Sequence, residues 1–419
     1  MIRLLIIADD FTGGLDTGVQ FASRGIGTCV VTDPEADFTA EAGGCEVLVA
    51  VAETRHLPAE KAYDMVLRTA RKGMELGVAH IYKKTDSALR GNIGAELTAV
   101  LDAAGCPLLP FIPALPAMRR TTRNGIQYID GIPAAESVFG RDPFEPVRES
   151  DVSRLIALQS AAPAFRAAPE ALAGAEGIAV LDAESDEDLR RIAKCLREVP
   201  GLRASAGCAG FAAVLPELLG LAGKEAPELP ALDPGLFVLC GSVNPITQRQ
   251  LDHGEANGFT RIHIAPEVKL HPEVFGTEAG QAILAGWKEQ MAALPWMILD
   301  ANDTDPGNAE TAALAAKEGL SVEDVRQRIS ESLGIILGAM ADSPAERTLL
   351  ITGGDTLLQG MNRMKVRRMI PIAEAAPGCV LSRVAFGGKN RCVITKSGGF
   401  GKENLLSGLR DLVLQRKGS

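Results

Sequence analysis

The chain has 419 residues, enough for two or three domains of ordinary size. With 46% hydrophobic and 23% charged residues it excludes long disorder. Its net charge of −10 argues against nucleic acid as the main partner, because phosphate backbones need clustered Lys and Arg; small anionic substrates, which need only a local basic pocket, remain open.

The chain starts with an apolar run, residues 2–8, which predicts a strand and ends in Asp9 and Asp10. The run is too short, and too acidic at its end, for a secretion signal or a membrane span, so no membrane partner is expected. Eight cysteines (Cys29, Cys45, Cys106, Cys195, Cys208, Cys240, Cys379 and Cys392) are scattered without a C-x-x-C pair. Reduced thiols in a cytoplasmic protein are the simplest reading. Further strands are predicted at 26–32, 46–52, 80–85 and 108–114, with helices at 59–76 and 92–105 between them. Continuous apolar strands separated by helices predict a parallel sheet covered on both faces, the doubly wound α/β arrangement.

Residues 221–235 hold three prolines, two glycines and four charges without a clear period, and read as a linker. Strand patterns restart at 236–242, 261–265, 296–301, 348–354 and 391–399. The helical region 308–341 breaks near Gly319, where Ser321 and Asp324 have the spacing of a capping box. The fold class is α/β: two α/β domains, residues 1–225 and 226–419, each a mainly parallel sheet flanked by helices.

Ligands of open α/β sheets bind outside the carboxyl ends of the strands. In the first half those ends carry Asp9, Asp10, Thr12 and Gly13, then Glu53, Thr54 and Arg55, then Lys84, Thr85, Asp86, Ser87 and Arg90. Cations, hydroxyls and carboxylates converge there as a small polyhydroxy acid requires. Arg55 or Lys84 is placed to hold its carboxylate, and Asp10 to accept a hydroxyl proton. The plain alternative makes Asp9 and Asp10 a helix N-cap and its solvated neighbour. In the second half the ends are residues 241–250, 352–356 and 395–404. Ser242 precedes a helix over 246–256. Gly353 and Gly354 precede Asp355, Thr356 and another helix, and Lys396 precedes the Gly398-Gly399 turn. Small residues before helix N-termini suit an oligophosphate, although each alone also reads as an ordinary capped turn.

Some chemistries are excluded. The run at 397–404 has Glu403 where a P-loop needs Ser or Thr. No G-x-G-x-x-G follows a strand, because Asn404 takes the last glycine position, so a dinucleotide fold is disfavoured. No cysteine quartet or H-E-x-x-H suggests zinc. Of the five dispersed histidines, His56 beside Arg55 is the one near the site, and His263 reads as a packed strand residue.

Taken together, "ADDFTGGLDTG" (8–18), "KKTDSALRGN" (83–92), "GSVNPITQRQ" (241–250), "TGGDT" (352–356) and "TKSGGFG" (395–401) resemble, in order, the motifs of the four-carbon acid sugar kinases. The resemblance spans nearly the whole chain. It implies an N-terminal domain that binds the acid sugar, a C-terminal domain that binds ATP, and an active site in the cleft between them. It implies phosphoryl transfer from ATP, with Mg²⁺, to a hydroxyl of erythronate, threonate or a 3-oxo-tetronate. Carried over by motif, the sugar contacts are Asp9 or Asp10, Arg55 and Lys84–Ser87, and the nucleotide contacts are Ser242, Gly353–Thr356 and the glycines after Lys396. Asp10 is then the expected base, with Asp9 the alternative, Asp355 the expected Mg²⁺ ligand, and Lys396 a neutraliser of phosphate charge. Two departures bear on the substrate: Ala88 stands where the family has a hydroxyl, and Arg119 where it has Gly. A homodimer is one assembly the reading admits. A sugar-acid aldolase or isomerase, or a sensor that binds without turnover, would compete with the kinase reading.

Overall fold

Buried apolar runs become the strands. The computed structural model describes residues 1–142, 145–304 and 307–416, in two units: Met1–Pro227 and the chain from Glu228 onward. In the first unit the strands among the described residues are β1 (Leu4–Ala8), β2 (Thr28–Val31), β3 (Val47–Val51), β4 (His80–Lys84), β5 (Leu108–Ile112), β6 (Arg120–Arg123), β7 (Ile126–Ile129), β8 (Ile132–Pro133), β9 (Ala164–Ala167), β10 (Gly177–Leu181) and β11 (Ala204–Gly207). The strands β6, β7 and β8 form a small antiparallel sheet. The others form a parallel sheet in the order β2-β3-β1-β4-β11-β5-β10-β9.

Every residue of β1, β3, β4 and β5 is buried, as a parallel sheet covered on both faces requires. The strand order reverses at β1, which has β3 on one side and β4 on the other. Ala8 is in register with both Val51 and Lys84. This register brings the chain after β1, β3 and β4 to one point, the place where α/β sheets bind ligands. The covering helices bury one face each. In Ala59–Glu75 the buried residues Ala62, Val66, Thr69, Ala70 and Gly73 follow the helical period.

Between β5 and β9 the structure adds what the sequence pattern did not signal as strands. The β6–β7 turn is Asn124-Gly125, both at positive φ (53° and 76°), with Arg123 paired to Ile126. That is the mirror-image two-residue turn of a tight hairpin, for which Asn-Gly is the usual sequence. Arg119, also at φ 53°, ends a short 3-10 turn, Pro116–Met118, and its exposed side chain pairs with Asp130 at 3.3 Å. Arg119 adopts this left-handed backbone, which glycine takes without strain, at a steric cost.

The second unit contains β12 (Leu236–Cys240), β13 (Thr260–His263), β14 (Trp296–Asp300), β15 (Thr348–Thr352), β16 (Arg368–Ala376), β17 (Cys379–Phe386) and β18 (Lys389–Lys396). The order is β13-β14-β12-β15-β18-β17-β16, with β17 antiparallel to both β16 and β18 and the rest parallel. The sequence predicted a strand at 391–399 but not its two antiparallel neighbours. Their burial is interrupted rather than continuous, and Gly387-Gly388 closes the β17–β18 hairpin at φ 57° and 74°. Leu236, Val238, Leu251, Ile298, Leu350, Ile394 and Leu405 are part of the core between sheet and helices. The helical region after Asn308 breaks as predicted. Gly319 (φ 70°) ends Ala309–Glu318, and Ser321 and Asp324 form a reciprocal capping box that starts Val322–Ala341.

Candidate active site

At the carboxyl end of β1 the chain turns directly into the helix Phe11–Ala22. Asp10 caps it, accepting from the Gly13 amide at 3.2 Å and the Thr12 hydroxyl at 2.8 Å. A side chain at Gly13 would collide with Asp10 Oδ1 (2.3 Å) and Lys84 Nζ (2.5 Å), so glycine is needed for the two groups to meet. Asp9 points into the protein and is 3% exposed. Its carboxylate accepts from Arg55 Nε at 2.8 Å and Arg55 Nη2 at 2.7 Å, and from Lys84 Nζ at 3.5 Å. Arg55 Nη2 also lies 2.7 Å from Asp10 Oδ1, so one guanidinium bridges both aspartates.

Charge decides the protonation states. Burial pushes the Asp9 carboxyl up, but Arg55, Lys84 and Lys83 outweigh it and bring its pKa to about 2. Burial works against the charge on Arg55, and Asp10, Asp9 and Asp86 more than restore it. Burial likewise opposes the Lys84 charge, and Asp9 and Asp10 raise its proton affinity above the usual lysine value. Arg55 and Lys84, one or the other of which was expected to hold a substrate carboxylate, are thus both bound to internal carboxylates.

The run after β4 folds around Asp86. Its Oδ2 accepts from the Ala88 and Arg90 amides (3.2 Å each) and from Arg90 Nε at 2.9 Å, while Oδ1 accepts from Arg90 Nη2 at 3.0 Å. These bonds hold Leu89 at φ 71°, a strained conformation for a branched residue. They need the backbone of residue 88 and not its side chain, so Ala88 serves without a hydroxyl. Burial would raise the Asp86 carboxyl, but Arg90 and Arg55 hold it well below the usual carboxylate range. Thr85 is buried, and its hydroxyl donates to the Gly207 carbonyl at 3.3 Å. His56 pairs with Glu145.

Residues the sequence reading passed over complete this site. Arg120 of β6 donates to Ser87 Oγ at 2.5 Å, and Gln127 of β7 to the Ser87 carbonyl at 2.8 Å. Lys83, fully buried and facing away from Lys84, donates to Glu96 at 2.8 Å and to the carbonyls of Ile7 and Lys84 at 3.2 and 2.7 Å. The period-2 alternation of β4 was the available signal for Lys83; Arg120 lies beside the Arg119 departure in a stretch, 119–125, that resembles a family motif, and the sequence reading gave it no role.

The second unit repeats the arrangement with different chemistry. Cys240 is in register with both Asp300 and Thr352, and Thr352 with Lys396. Gly241, Gly353 and Ser397 therefore emerge side by side. Gly353 has φ 113°, which only glycine adopts readily, and a side chain on Gly241 would come within 2.1 Å of Thr356 Oγ1. The helix Gly354–Arg363 starts at Gly353 without a side-chain cap, so its first amides point outward as an anion site requires. Ser242 Oγ donates to Thr247 Oγ1 at 3.3 Å, and the Ser242 carbonyl accepts from Gln248 (2.8 Å) and Asn302 (3.1 Å). Asn244 caps the helix Pro245–Ala256.

Lys396 is 2% exposed. Its ammonium donates to Thr247 Oγ1 (3.0 Å) and the carbonyls of Ser397 (3.1 Å) and Gly398 (3.0 Å), fixing the turn that contains Gly398 and Gly399. Asp355, in the first turn of its helix, accepts from Arg326 at 3.0 Å. His263, partly exposed rather than packed away, shares a hydrogen bond with the Asn302 carbonyl at 2.7 Å. Among the described residues no group of three or more His, Cys, Asp or Glu is placed to hold a metal ion, and no helix is long and apolar enough to cross a membrane.

One unit gathers carboxylates and arginines at its strand ends and the other gathers glycines and hydroxyls, and comparison with known proteins gives the class. Residues 4–215 match the model of a sugar-binding N-terminal domain, and residues 237–406 that of a nucleotide-binding C-terminal domain. The chain is 31% identical to a D-threonate kinase of Salmonella typhimurium, over 97% of each chain. It is 27% identical to a 3-oxo-tetronate kinase of Pseudomonas fluorescens (96% of this chain, 95% of the relative) and 25% identical to a D-erythronate kinase of Heliobacterium modesticaldum (99% and 98%). Solved structures of a Salmonella typhimurium LT2 protein (TM-score 0.78, 22% identity, 97% of this chain and 98% of that one) and of Haemophilus influenzae HI1011 (0.70, 20%, 98% and 100%) share the fold. The chain belongs to the four-carbon acid sugar kinase family.

Proposed function

We propose that the chain transfers the γ-phosphoryl group of ATP to a hydroxyl of a four-carbon acid sugar: erythronate, threonate or a 3-oxo-tetronate. Residues 1–225 bind the acid and residues 226–419 the nucleotide, and the reaction takes place in the cytoplasm, where ATP is supplied. The observation that carries the reading is the Asp9–Asp10 pair bridged by Arg55 at the end of β1. Phosphoryl transfer needs a positioned hydroxyl and compensated phosphate charge, and little else from the protein.

Asp10 is the better base. Asp9 is buried and holds its charge down to about pH 2, so it attracts a proton poorly. Asp10 is the more exposed of the two (16% against 4% for the side chains) and lies at the helix edge. It accepts the proton of the attacking hydroxyl, while Arg55 and Lys84 fix its orientation. Asp86, Ser87, Thr85 and Arg90 shape the rest of the sugar pocket. For ATP, the Gly353–Gly354 amides and Thr356 bind phosphate oxygens, joined by Ser242 and by Gly398 and Gly399, whose turn Lys396 holds.

Magnesium prefers oxygen ligands and keeps several waters, so a single carboxylate with neighbouring hydroxyls fits it. Asp355 and Thr356 would hold it, directly or through water. The ion would supply charge neutralisation on the β- and γ-phosphates.

The test is ADP release by the full chain with ATP and Mg²⁺, across all stereoisomers of the tetronates and the 3-oxo-tetronates. At least one acid is expected to raise ADP release. An aldolase or isomerase would consume an acid without ADP, and a sensor would bind without turnover; a silent panel contradicts the proposal.

A further inference from the structure

Two buried ion pairs of the second unit have no part in the roles proposed above, and both lie at the carboxyl end of β14. Arg261 of β13 donates to Asp300 Oδ2 from Nε at 3.0 Å and from Nη2 at 2.5 Å, and to Asp252 Oδ1 from Nη1 at 2.7 Å. Lys269, fully buried, donates to Asp303 Oδ1 at 2.5 Å and to the Ala301 carbonyl at 2.7 Å. Asp303 also accepts from the amide and the hydroxyl of Thr311, at 2.7 and 2.6 Å. The run from Asp300 to Asp303 is thereby fixed on both sides of Asn302. Burying two ion pairs adds little net stability, so what they hold in place is the informative point.

They hold the turn after β12. Asp300 Oδ1 accepts from the backbone amide and the side-chain nitrogen of Asn302, at 3.0 and 2.7 Å, and that side-chain nitrogen donates to the Ser242 carbonyl at 3.1 Å. Arg261 Nη2 donates to Gln248 Oε1 at 3.1 Å, which turns the Gln248 nitrogen to the same carbonyl at 2.8 Å. Both donors to the Ser242 carbonyl therefore trace back to one ion pair, Arg261–Asp300. No peptide bond among the described residues is cis, and across a trans bond the C=O and the next N–H point opposite ways. A carbonyl pinned toward Asn302 and Gln248 turns the Val243 amide away from them. Val243 is 65% exposed, and among the described residues its amide donates no hydrogen bond within the chain. The turn lies against both glycine loops. A side chain on Gly398 would come within 3.0 Å of Ser242 Oγ, and one on Gly353 within 3.5 Å of the Gly241 carbonyl carbon.

We propose that the Val243 amide donates to a phosphate of the nucleotide, and that Asn302 and Gln248, set by the Arg261–Asp300 pair, are the positioning residues that aim it. The proposal rests on the kinase reading above. It gives the buried pair a task, because donors aimed in advance need no reorientation when an anion arrives. A phosphate contact made alike in the ground state and the transition state is read in the KM for ATP and not in kcat.

The experiment compares wild type, Gln248→Glu, Asn302→Ala and the double variant as full chains, by kinetics with Mg²⁺-ATP and the four-carbon acids and by calorimetry with ADP. Gln248→Glu separates aim from stability: its carboxylate still accepts from Arg261 but offers the Ser242 carbonyl no donor. Its melting temperature is expected to match wild type, while the KM for ATP and the dissociation constant of ADP rise together about 3–10-fold. Asn302→Ala is expected to act likewise, and the double variant to lose about 10–100-fold. The kcat at saturating ATP and the KM for the acid stay within about twofold of wild type. An unchanged KM for ATP in the double variant overturns the proposal. So does a rise matched by the KM for the acid, a fall in kcat alone, or early melting of Gln248→Glu. If Asn302→Ala melts early, Gln248→Glu decides: wild-type affinity for ATP and ADP leaves the two residues no aiming role. A wild type that binds ADP but turns over none of the acids removes the kinase reading alone, and the variants' ADP affinities still judge the aiming of Val243. A wild type that binds no ADP removes both.

Discussion

Asp9 and Asp10 are neighbours in sequence and opposites in environment, and that contrast sets the chemistry. Asn is nearly isosteric with Asp and still caps a helix, so Asp10→Asn is expected to fold. It cannot take a proton, and loss of a positioned base costs about 10²–10⁴-fold in kcat. Asp9→Asn should instead act through stability and alignment, because it removes a carboxylate from between Arg55 and Lys84. Steady-state kinetics with melting curves separate the two; exchanged phenotypes would make Asp9 the base. Arg55→Ala leaves two carboxylates without their shared guanidinium. It is expected to cost about 3–5 kcal/mol of stability and to raise the KM for the acid, with the KM for ATP unchanged. A wild-type melting temperature would show that the bridge contributes nothing. The residue types at the strand ends were legible because ligand sites of α/β sheets collect there. Their pairing was not: whether Arg55 faces solvent or Asp9 depends on the register of β1 with β3, which joins residues more than forty positions apart.

At the scale of elements, long buried strands and periodic helices announced themselves, since each carries its own burial pattern. The β6–β8 hairpin and the antiparallel strands β16 and β17 did not, being short or mixed in burial, and so Arg120 was given no role. The β4–β11 pairing carries a test of its own. His80 in β4 is 2% exposed, and its Nε2 meets Ser205 Oγ of β11 at 2.8 Å. Burial lowers its pKa from 6.5 to about 4. A group depressed in the fold contributes its full stability above the unfolded value and loses it as protons bind the unfolded chain. Stability is therefore expected to fall between pH 6.5 and pH 4, by about 3 kcal/mol from this residue. Melting temperatures measured across that window should fall more steeply for wild type than for His80→Gln, and equal slopes would rule out a buried neutral His80. Lys83, paired with Glu96, holds the carbonyls of Ile7 and Lys84 near the ends of β1 and β4, so Glu96→Gln is expected to lower the melting temperature and, through those strand ends, kcat. A variant with kcat unchanged would confine the pair to folding.

For the whole molecule, the two units differ in what they offer a ligand: charged pairs in one, glycine-lined amides in the other. The alternation of strands and helices made the α/β class legible, and the Pro- and Gly-rich stretch 221–235 marked a change of unit without revealing the chemistry of either. A fragment of residues 1–225 contains the strands β1 to β11 with their helices and is expected to bind the acid sugar weakly and ATP not at all. Tight nucleotide binding by that fragment, measured by calorimetry, would reverse the assignment of roles. The most direct test of the kinase account follows the phosphorus itself. The full chain, incubated with Mg²⁺-ATP and the panel of four-carbon acids, is examined by phosphorus NMR for a new phosphate monoester resonance coupled to a tetronate carbon proton. The expected result is one such ester, formed in step with ADP and absent from Asp10→Asn over the same interval. ADP accompanied only by inorganic phosphate, or an ester formed equally by Asp10→Asn, would contradict the account.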